Sequence, residues 1–339
     1  VSKSSSINTS EPTTAAAIPA TVAENAVRFA VDSWADGFFS INSNGTVAVR
    51  PDRRSGREVD LLEIVDGVRE RGYSTPVLLH FGDVLETVLG DLRRAFDGAI
   101  EQHGYGGAYR GVYPVKVNQQ RSVVEDVGRI SGEMGFGFEV GSKPELLAVL
   151  AMTVEQPDRL VVCNGFKEDR YVEFAMLAAK LGRTIVPVIE NLGELELVLR
   201  HATRLDVRPR IGIRVNLNVE GAGRWASSSG VKAKFGLTLA EVLRAVDLLR
   251  DHGMLDCLQL LHCHMGSQMH DIRQVAAGVG ELTRIHTELH RLGATVEFID
   301  VGGGLGVDYD GSQSNSAFSR NYSLEEYAST VVHRIQSIC

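Results

Sequence analysis

The chain has 339 residues, 44% hydrophobic and 23% charged, enough core material for one large α/β barrel with an appendage or for two ordinary domains. A formal net charge of −8 argues against a nucleic-acid surface, which needs a basic field, and no apolar run is long enough to span a bilayer. The four cysteines (Cys163, Cys257, Cys263, Cys339) form no CxxC pair, which fits reduced thiols in a cytoplasmic enzyme.

Residues 1–22 are rich in Ser, Thr and Ala and read as a flexible tail. They lack the charged and apolar regions of a secretory signal, and with Lys3 as their one basic residue a transit peptide is a weak alternative. Residues 23–83 read as a segment of a second, β-rich domain. They hold an amphipathic pattern over 23–34, then two alternating runs around Asn44-Gly45 that predict a β-hairpin. A polar loop over 50–56, a helix over 61–71 and a strand over 76–81 follow. A long helix over 84–102 opens the larger portion, 84–339.

From 112 onward strand and helix alternate. Strands are predicted over 112–117, 137–140, 160–163, 184–189, 210–215, 258–264 and 296–301. Helices are predicted to start near 122, 143, 169, 192, 239 and 272, and a last one covers 323–339. Such alternation builds a parallel sheet, either doubly wound or a barrel. Polar residues and glycines collect at the C-terminal end of nearly every strand, and a barrel brings all of these to one mouth. The expected architecture is therefore a (β/α)8 TIM-type barrel truncated after the seventh strand, with the eighth beyond Cys339.

Several residues at that mouth could carry chemistry. Lys116 is a misfit in an apolar strand. Desolvation would lower its pKa and make its amine a nucleophile, whereas the bland reading is a snorkelling lysine or one paired with a core carboxylate. The run Gly302-Gly303-Gly304-Leu305-Gly306 follows the seventh strand and can cradle a phosphate with backbone N–H groups, or form a simple turn. His262 and His264 share a strand face and could bind metal, with Asp300 as a further ligand or a structural carboxylate. Alternatively His264 stacks on an aromatic cofactor ring and Ser267 binds a phosphate oxygen. The structural role open to Arg214 is a salt bridge at the barrel mouth with Glu139 or Glu190 as its partner, and Glu139 could equally tune a nearby cationic centre. The loop over 221–230 with Lys234-Phe235-Gly236 is a candidate lid, and 312–320 reads as polar and mobile.

The segments Trp34 to Phe39, Tyr113 to Gln120, Gly137 to Leu146, Cys163 to Lys167, Ile211 to Asn216, Lys234 to Leu237, His262 to Gln268 and Asp300 to Gly306 carry a resemblance through nearly the whole chain. The sequence resembles the fold-type III pyridoxal-phosphate-dependent decarboxylases, most closely the biosynthetic arginine decarboxylases. That resemblance implies that Lys116 holds pyridoxal 5′-phosphate as a Schiff base and His264 stacks on its ring. It also implies that Ser267, Gly303 and Gly304 bind the phosphate, Arg214 lies near the phenolic oxygen, and Glu139 lies near Lys116. The implied reaction converts L-arginine to agmatine and carbon dioxide, an entry to polyamine synthesis. Mg2+ dependence and a homo-oligomer, dimer or tetramer, with shared active sites are implied as well. The family's acid on the pyridine nitrogen, a further phosphate-binding arginine, and the cysteine and aspartate given by a second subunit match nothing in these residues. The sequence is therefore expected to be an N-terminal portion that is inactive alone. The alternatives are a diaminopimelate or ornithine decarboxylase, a non-catalytic decarboxylase-like regulator, and a metal-dependent barrel hydrolase.

Overall fold

The computed structural model describes residues 21–54, 56–217 and 235–339. The chain divides between Val77 and Leu78 into two compact units.

In the first unit the pattern over 23–34 forms two short helices, α1 (Val22–Arg28) and α2 (Val31–Trp34). They are separated because Ala30 adopts a left-handed conformation, φ +48°. Thr21 and Glu24 make a reciprocal capping box at the start of α1. The hairpin forms as expected: β1 (Phe39–Ile41) pairs antiparallel with β2 (Val47–Val49), Phe39 opposite Val49, and Gly45 turns at φ +80°. A third short strand, β3 (Val59–Asp60), adds to β2 and leads into α3 (Leu61–Glu70). Asp60 joins these pieces. Its carboxylate accepts from Thr46 Oγ1 and Asn42 Nδ2, and these bonds hold its pKa below the ordinary value; it also caps α3 through Leu62 N. No strand forms over 76–81. Pro76 has no N–H to give, and a strand needs a neighbour to pair its backbone.

The second unit contains α4 (Gly82–His103), β4 (Val112–Pro114), α5 (Arg121–Glu133), β5 (Gly137–Val140), α6 (Lys143–Met152), β6 (Val161–Cys163), α7 (Asp169–Lys180), β7 (Ile185–Ile189), α8 (Leu192–Leu205), β8 (Ile211–Arg214), α9 (Leu239–Asp251), β9 (Leu258–His262), α10 (Ile272–Arg291), β10 (Phe298–Asp300) and α11 (Leu324–Gln336). The seven strands β4 to β10 are all parallel, and each pairs with its neighbours in sequence. Sequential order of this kind is that of a barrel, not of a doubly wound sheet, which reverses direction partway.

Packing shows that the sheet rolls up. Leu160, Val162, Val186, Val188 and Leu260 make one buried cluster, and Val112 of β4 and Phe298 of β10 both pack against it. The first and last strands therefore converge on one interior, and the Arg110 guanidinium lies 6.0 Å from the Phe298 ring. The other faces of the strands pack on the helices in a larger cluster that includes Phe138, Leu146, Met176, Ile213 and Leu261. Helix α11 packs against both α10 and α4. His103 Nε2 meets Ser329 Oγ at 2.8 Å, and Gln336 Nε2 donates to His103 O at 2.8 Å.

Two expectations change here. The strand predicted over 112–117 stops at Pro114, and Val115–Val117 form a 3-10 turn. The segment over 312–320, expected to be mobile, is tied down. Ser319 is fully buried, donates to Asp308 Oδ1 at 2.6 Å and accepts from Ser314 N at 2.9 Å. The candidate lid over 221–230 and Lys234 lie outside the described residues.

Candidate active site

The site is assembled where the strands end. Lys116 lies on the 3-10 turn after β4, so it is not the buried strand residue its neighbours suggested. Its side chain is 52% exposed, and Nζ donates to Glu139 Oε1 at 3.1 Å. Glu139, the third residue of β5, is only 14% exposed. The desolvation argument for a reactive amine therefore does not hold, because the side chain is half in solvent and held by a carboxylate. The turn is kept in position by its own polar residues. Asn118 Oδ1 accepts from Gln120 N, and Gln119 Nε2 donates to Glu145 Oε1 at 2.9 Å. The second oxygen of Glu145 accepts from Gly141 N at 2.6 Å, beyond β5.

Arg214 ends β8 and donates through Nη1 to Glu190 Oε1 at 3.0 Å, with both side chains largely buried. Its guanidinium also lies 5.5 Å from the Phe235 ring centre. Glu190 Oε1 accepts a further bond from Gly165 N. Behind it lies a pair whose importance the sequence reading missed. The Lys167 ammonium, 0% exposed, sits 3.1 Å from Glu194 Oε2. Glu194 also accepts from the backbone N–H groups of Lys167 and Glu190, both at 2.9 Å. A buried lysine and glutamate persist only when paired and hydrogen-bonded, and here both are. The available signal was the spacing Glu190-x-x-x-Glu194 at the start of α8, where Asn191 caps the helix.

His264 follows β9 and is half-buried. Burial together with the positive charges of Arg214, His262 and Lys116 lowers its pKa to about 4. Its Nδ1 accepts from Gly266 N at 3.2 Å, so the neutral ring carries its proton on Nε2. His262 has a separate environment. Its Nδ1 stands 2.9 Å from Asp300 Oδ2, too far out of line to count as a hydrogen bond. Burial pushes the Asp300 carboxyl up, but the His262 ring and the Gly302 N–H outweigh it and hold the pKa below its ordinary value. The reading of Asp300 as a structural carboxylate fits this contact. Among the described residues no group of three or more His, Cys, Asp or Glu side chains is placed to hold a metal ion. Cys163 and Cys263 are buried near the strand ends, and burial pushes Cys163 up to about 12, so neither is a ready thiolate.

The glycine run beyond β10 lies directly against the loop beyond β9. Gly304 N donates to Gly266 O at 2.8 Å, and Met269 N to Gly304 O at 3.0 Å. A β-carbon on Gly302 would overlap Cys263 O and stand 2.6 Å from His262 Cε1. Gly303 adopts φ +98°, and a β-carbon on Gly304 would come 3.3 Å from Ser267 Cα. Ser267, Gly303 and Gly304 are thus neighbours on one rim, with Ser267 and Gly303 exposed. Bare backbone beside a hydroxyl suits an anion such as a phosphate. An amine held by a carboxylate, a neutral imidazole face and a fixed guanidinium suit an aromatic aldehyde bearing that phosphate, so these residues fit pyridoxal phosphate.

Comparison with known proteins agrees with this chemistry. Residues 89–339 match the family model described as the pyridoxal-binding domain of pyridoxal-dependent decarboxylases. A biosynthetic arginine decarboxylase from Rhodopirellula baltica is 48% identical over 309 residues, covering 91% of this chain and 46% of its own length. One from Tolumonas auensis is 48% identical over 311 residues, covering 91% and 49%. A crystal structure of the biosynthetic arginine decarboxylase from Campylobacter jejuni superposes with a TM-score of 0.81 at 32% identity, over 91% of this chain and 50% of that one. The chain spans about half the length of the curated relatives it matches. By its sequence and its fold, the chain belongs to the pyridoxal-dependent decarboxylase family.

Proposed function

We propose that this chain forms the cofactor-binding part of an enzyme that decarboxylates L-arginine to agmatine and carbon dioxide, a step that feeds polyamine synthesis. The observation that carries the reading is convergence. The Lys116–Glu139 pair, the Arg214–Glu190 pair, the neutral His264 ring and the glycine rim all lie at or just beyond the C-terminal ends of strands in one rolled parallel sheet. The choice of arginine rests on the relatives, which carry the name biosynthetic arginine decarboxylase at 44–48% identity.

In this reading Lys116 would attach the cofactor through Nζ, and His264 and Arg214 would hold its ring. Ser267 with the backbone of Gly303 and Gly304 would hold its phosphate. When bound, pyridoxal phosphate supplies an electron-accepting ring for the pair left behind as carbon dioxide departs. The chain's own residues do the rest. Glu139 orients Lys116 by accepting a hydrogen bond from its Nζ. His264 stays uncharged above about pH 4, so it offers a flat face without adding positive charge. Glu190 fixes Arg214 in place and balances its charge.

The proposal extends to a cytoplasmic homo-oligomer with shared active sites. Buried free thiols at Cys163, Cys257 and Cys263 support a reducing setting, and no helix among the described residues is long and apolar enough to cross a membrane. Phe166, Phe235, Tyr309 and Phe318 are each at least half exposed in segments that follow the strand ends, which supports a partner surface there. A Mg2+ requirement is carried by the family resemblance alone. The test is product analysis with the full-length protein, supplied with pyridoxal phosphate and then separately with L-arginine, L-ornithine and diaminopimelate. Agmatine should form from arginine. Equal kcat/KM for either other amino acid, or no decarboxylation of any, would refute the reading.

A further inference from the structure

The rim that carries Ser267 and Gly303-Gly304 is not a continuation of the β9–β10 ladder. Phe298, Ile299 and Asp300 pair in register with Leu260, Leu261 and His262, after which regular pairing stops and single bonds remain, such as Gly304 N to Gly266 O at 2.8 Å. The two sides pair again at the isolated bridge between Met269 and Leu305. The β9 side takes seven residues to get there and the β10 side five, so the surplus bulges out as the loop with Met265, Gly266 and Ser267. Backbone bonds alone would leave this excursion loosely set, because each joins only one point of the loop to the other side.

Two side chains close it. Gln268 adopts φ +52°, a left-handed conformation that costs a non-glycine residue roughly 1 kcal/mol. Its amide pairs with the Val307 backbone as a second peptide group would: Oε1 accepts from Val307 N at 2.9 Å, and Nε2 donates to Val307 O at 2.6 Å. One residue further on, the buried Tyr322 hydroxyl donates to Met269 O at 2.5 Å and accepts from Gly306 N at 3.0 Å. The two residues therefore lock the β9 loop to the β10 loop on the far side of Ser267 and Gly304. Glycine would sit at position 268 without strain. Glutamine in its place points to a task for the amide.

We infer that Gln268 and Tyr322 are positioning residues for the phosphate subsite, holding the Ser267 hydroxyl and the Gly303-Gly304 backbone at the separation a phosphate group needs. This rests on the cofactor reading above and assigns neither residue a contact with the cofactor. It makes a sharp distinction between ligands. Pyridoxal lacks the phosphate but is otherwise the same ring and aldehyde, so loosening the rim should weaken pyridoxal phosphate and spare pyridoxal.

The experiment titrates the full-length protein with each ligand, following cofactor absorbance and tryptophan quenching, for wild type, Gln268→Gly, Gln268→Met and Tyr322→Phe. Gln268→Gly relieves the left-handed strain while deleting the clamp, two effects of opposite sign, so it should still fold with a Tm close to wild type. Losing two neutral hydrogen bonds should make Kd for pyridoxal phosphate about tenfold weaker in the Gln268 variants, with that for pyridoxal within about twofold of wild type. Tyr322→Phe should shift the same ratio in the same direction. An unchanged affinity for pyridoxal phosphate in Gln268→Gly, or an equal loss for both ligands, overturns the inference. A wild-type protein that binds the two ligands equally overturns the phosphate reading itself, which separates the two failures.

Discussion

Lys116 combines two readings that its sequence context set against each other. It has the carboxylate partner of a structural lysine, and it stands at the open end of the sheet among residues suited to a cofactor. Its strand breaks at Pro114, and this break lifts it out of the core. Glu139 is then the residue that orients it. Glu139→Gln keeps the shape but loses a charge-assisted bond of about 1.5–3 kcal/mol. We expect kcat with arginine to fall by roughly 10- to 100-fold, read by steady-state assay; a change under twofold would remove Glu139 from the site. His264 makes a prediction about pH. Unfolded, its imidazole takes a proton near the ordinary 6.5, whereas in the fold it resists until about 4. Between those values the unfolded chain binds more protons, so stability is full above 6.5 and declines as pH falls towards 4. Allowing for the ring's partial exposure, the loss is about 2 kcal/mol. Urea melts of wild type and His264→Gln from pH 7 to 4 should therefore diverge in slope, and parallel curves would contradict the assignment.

At the scale of elements, the ends of β6 and β7 are joined by a buried charge pair. Lys167 lies on the loop after β6 and Glu194 in the first turn of α8, a place where an acid ordinarily faces water and complements the helix dipole. Here the β6 loop folds over it. Gly165, at φ +76°, allows the approach, since a β-carbon there would stand 2.5 Å from Gly141 O. The pair supports Glu190, and through it Arg214, so it links packing to the site. Lys167→Met leaves Glu194 buried without its cation and should cost about 3–5 kcal/mol of unfolding free energy, measured by chemical denaturation. A loss below 1 kcal/mol would mean that water or a local rearrangement rescues Glu194.

Across the second unit, the helices close more completely than the strands. Helix α11 follows the last strand yet packs on α4, which precedes the first. Phe96 of α4 stacks on Tyr109 with ring centres 3.9 Å apart, and Tyr327 of α11 meets Phe96 edge-on at 6.0 Å. Val112 and Phe298 meet the same interior cluster, so the seam and the rolled sheet stabilise each other. Tyr327→Ala should remove about 3 kcal/mol of stability. Because the seam joins the two ends of the second unit, the variant should unfold in one transition with an unchanged m-value. A separate early transition for α11 would show that the seam is peripheral.

Local rules were sufficient for much of this protein. Apolar periodicity predicted the strand–helix alternation, the Asn44-Gly45 hairpin, and the end of the sheet where polar residues gather, because each depends on neighbours a few residues away. Local pattern also marks Lys116, Glu139, Arg214, His264, Ser267, Gly303 and Gly304 as polar or glycine positions near strand ends, while the roles proposed for them come from the resemblance. Which partner each would take was not legible. Glu139 with Lys116, Glu190 with Arg214, Lys167 with Glu194 and Gln268 with Val307 all join separate βα units. The exposure of Lys116 reverses what its own segment suggests, and the burial of Lys167 depends on a partner in the next βα unit. Curvature of the sheet sets these pairings, and curvature is a sum over every strand's packing; no single stretch of sequence contains it.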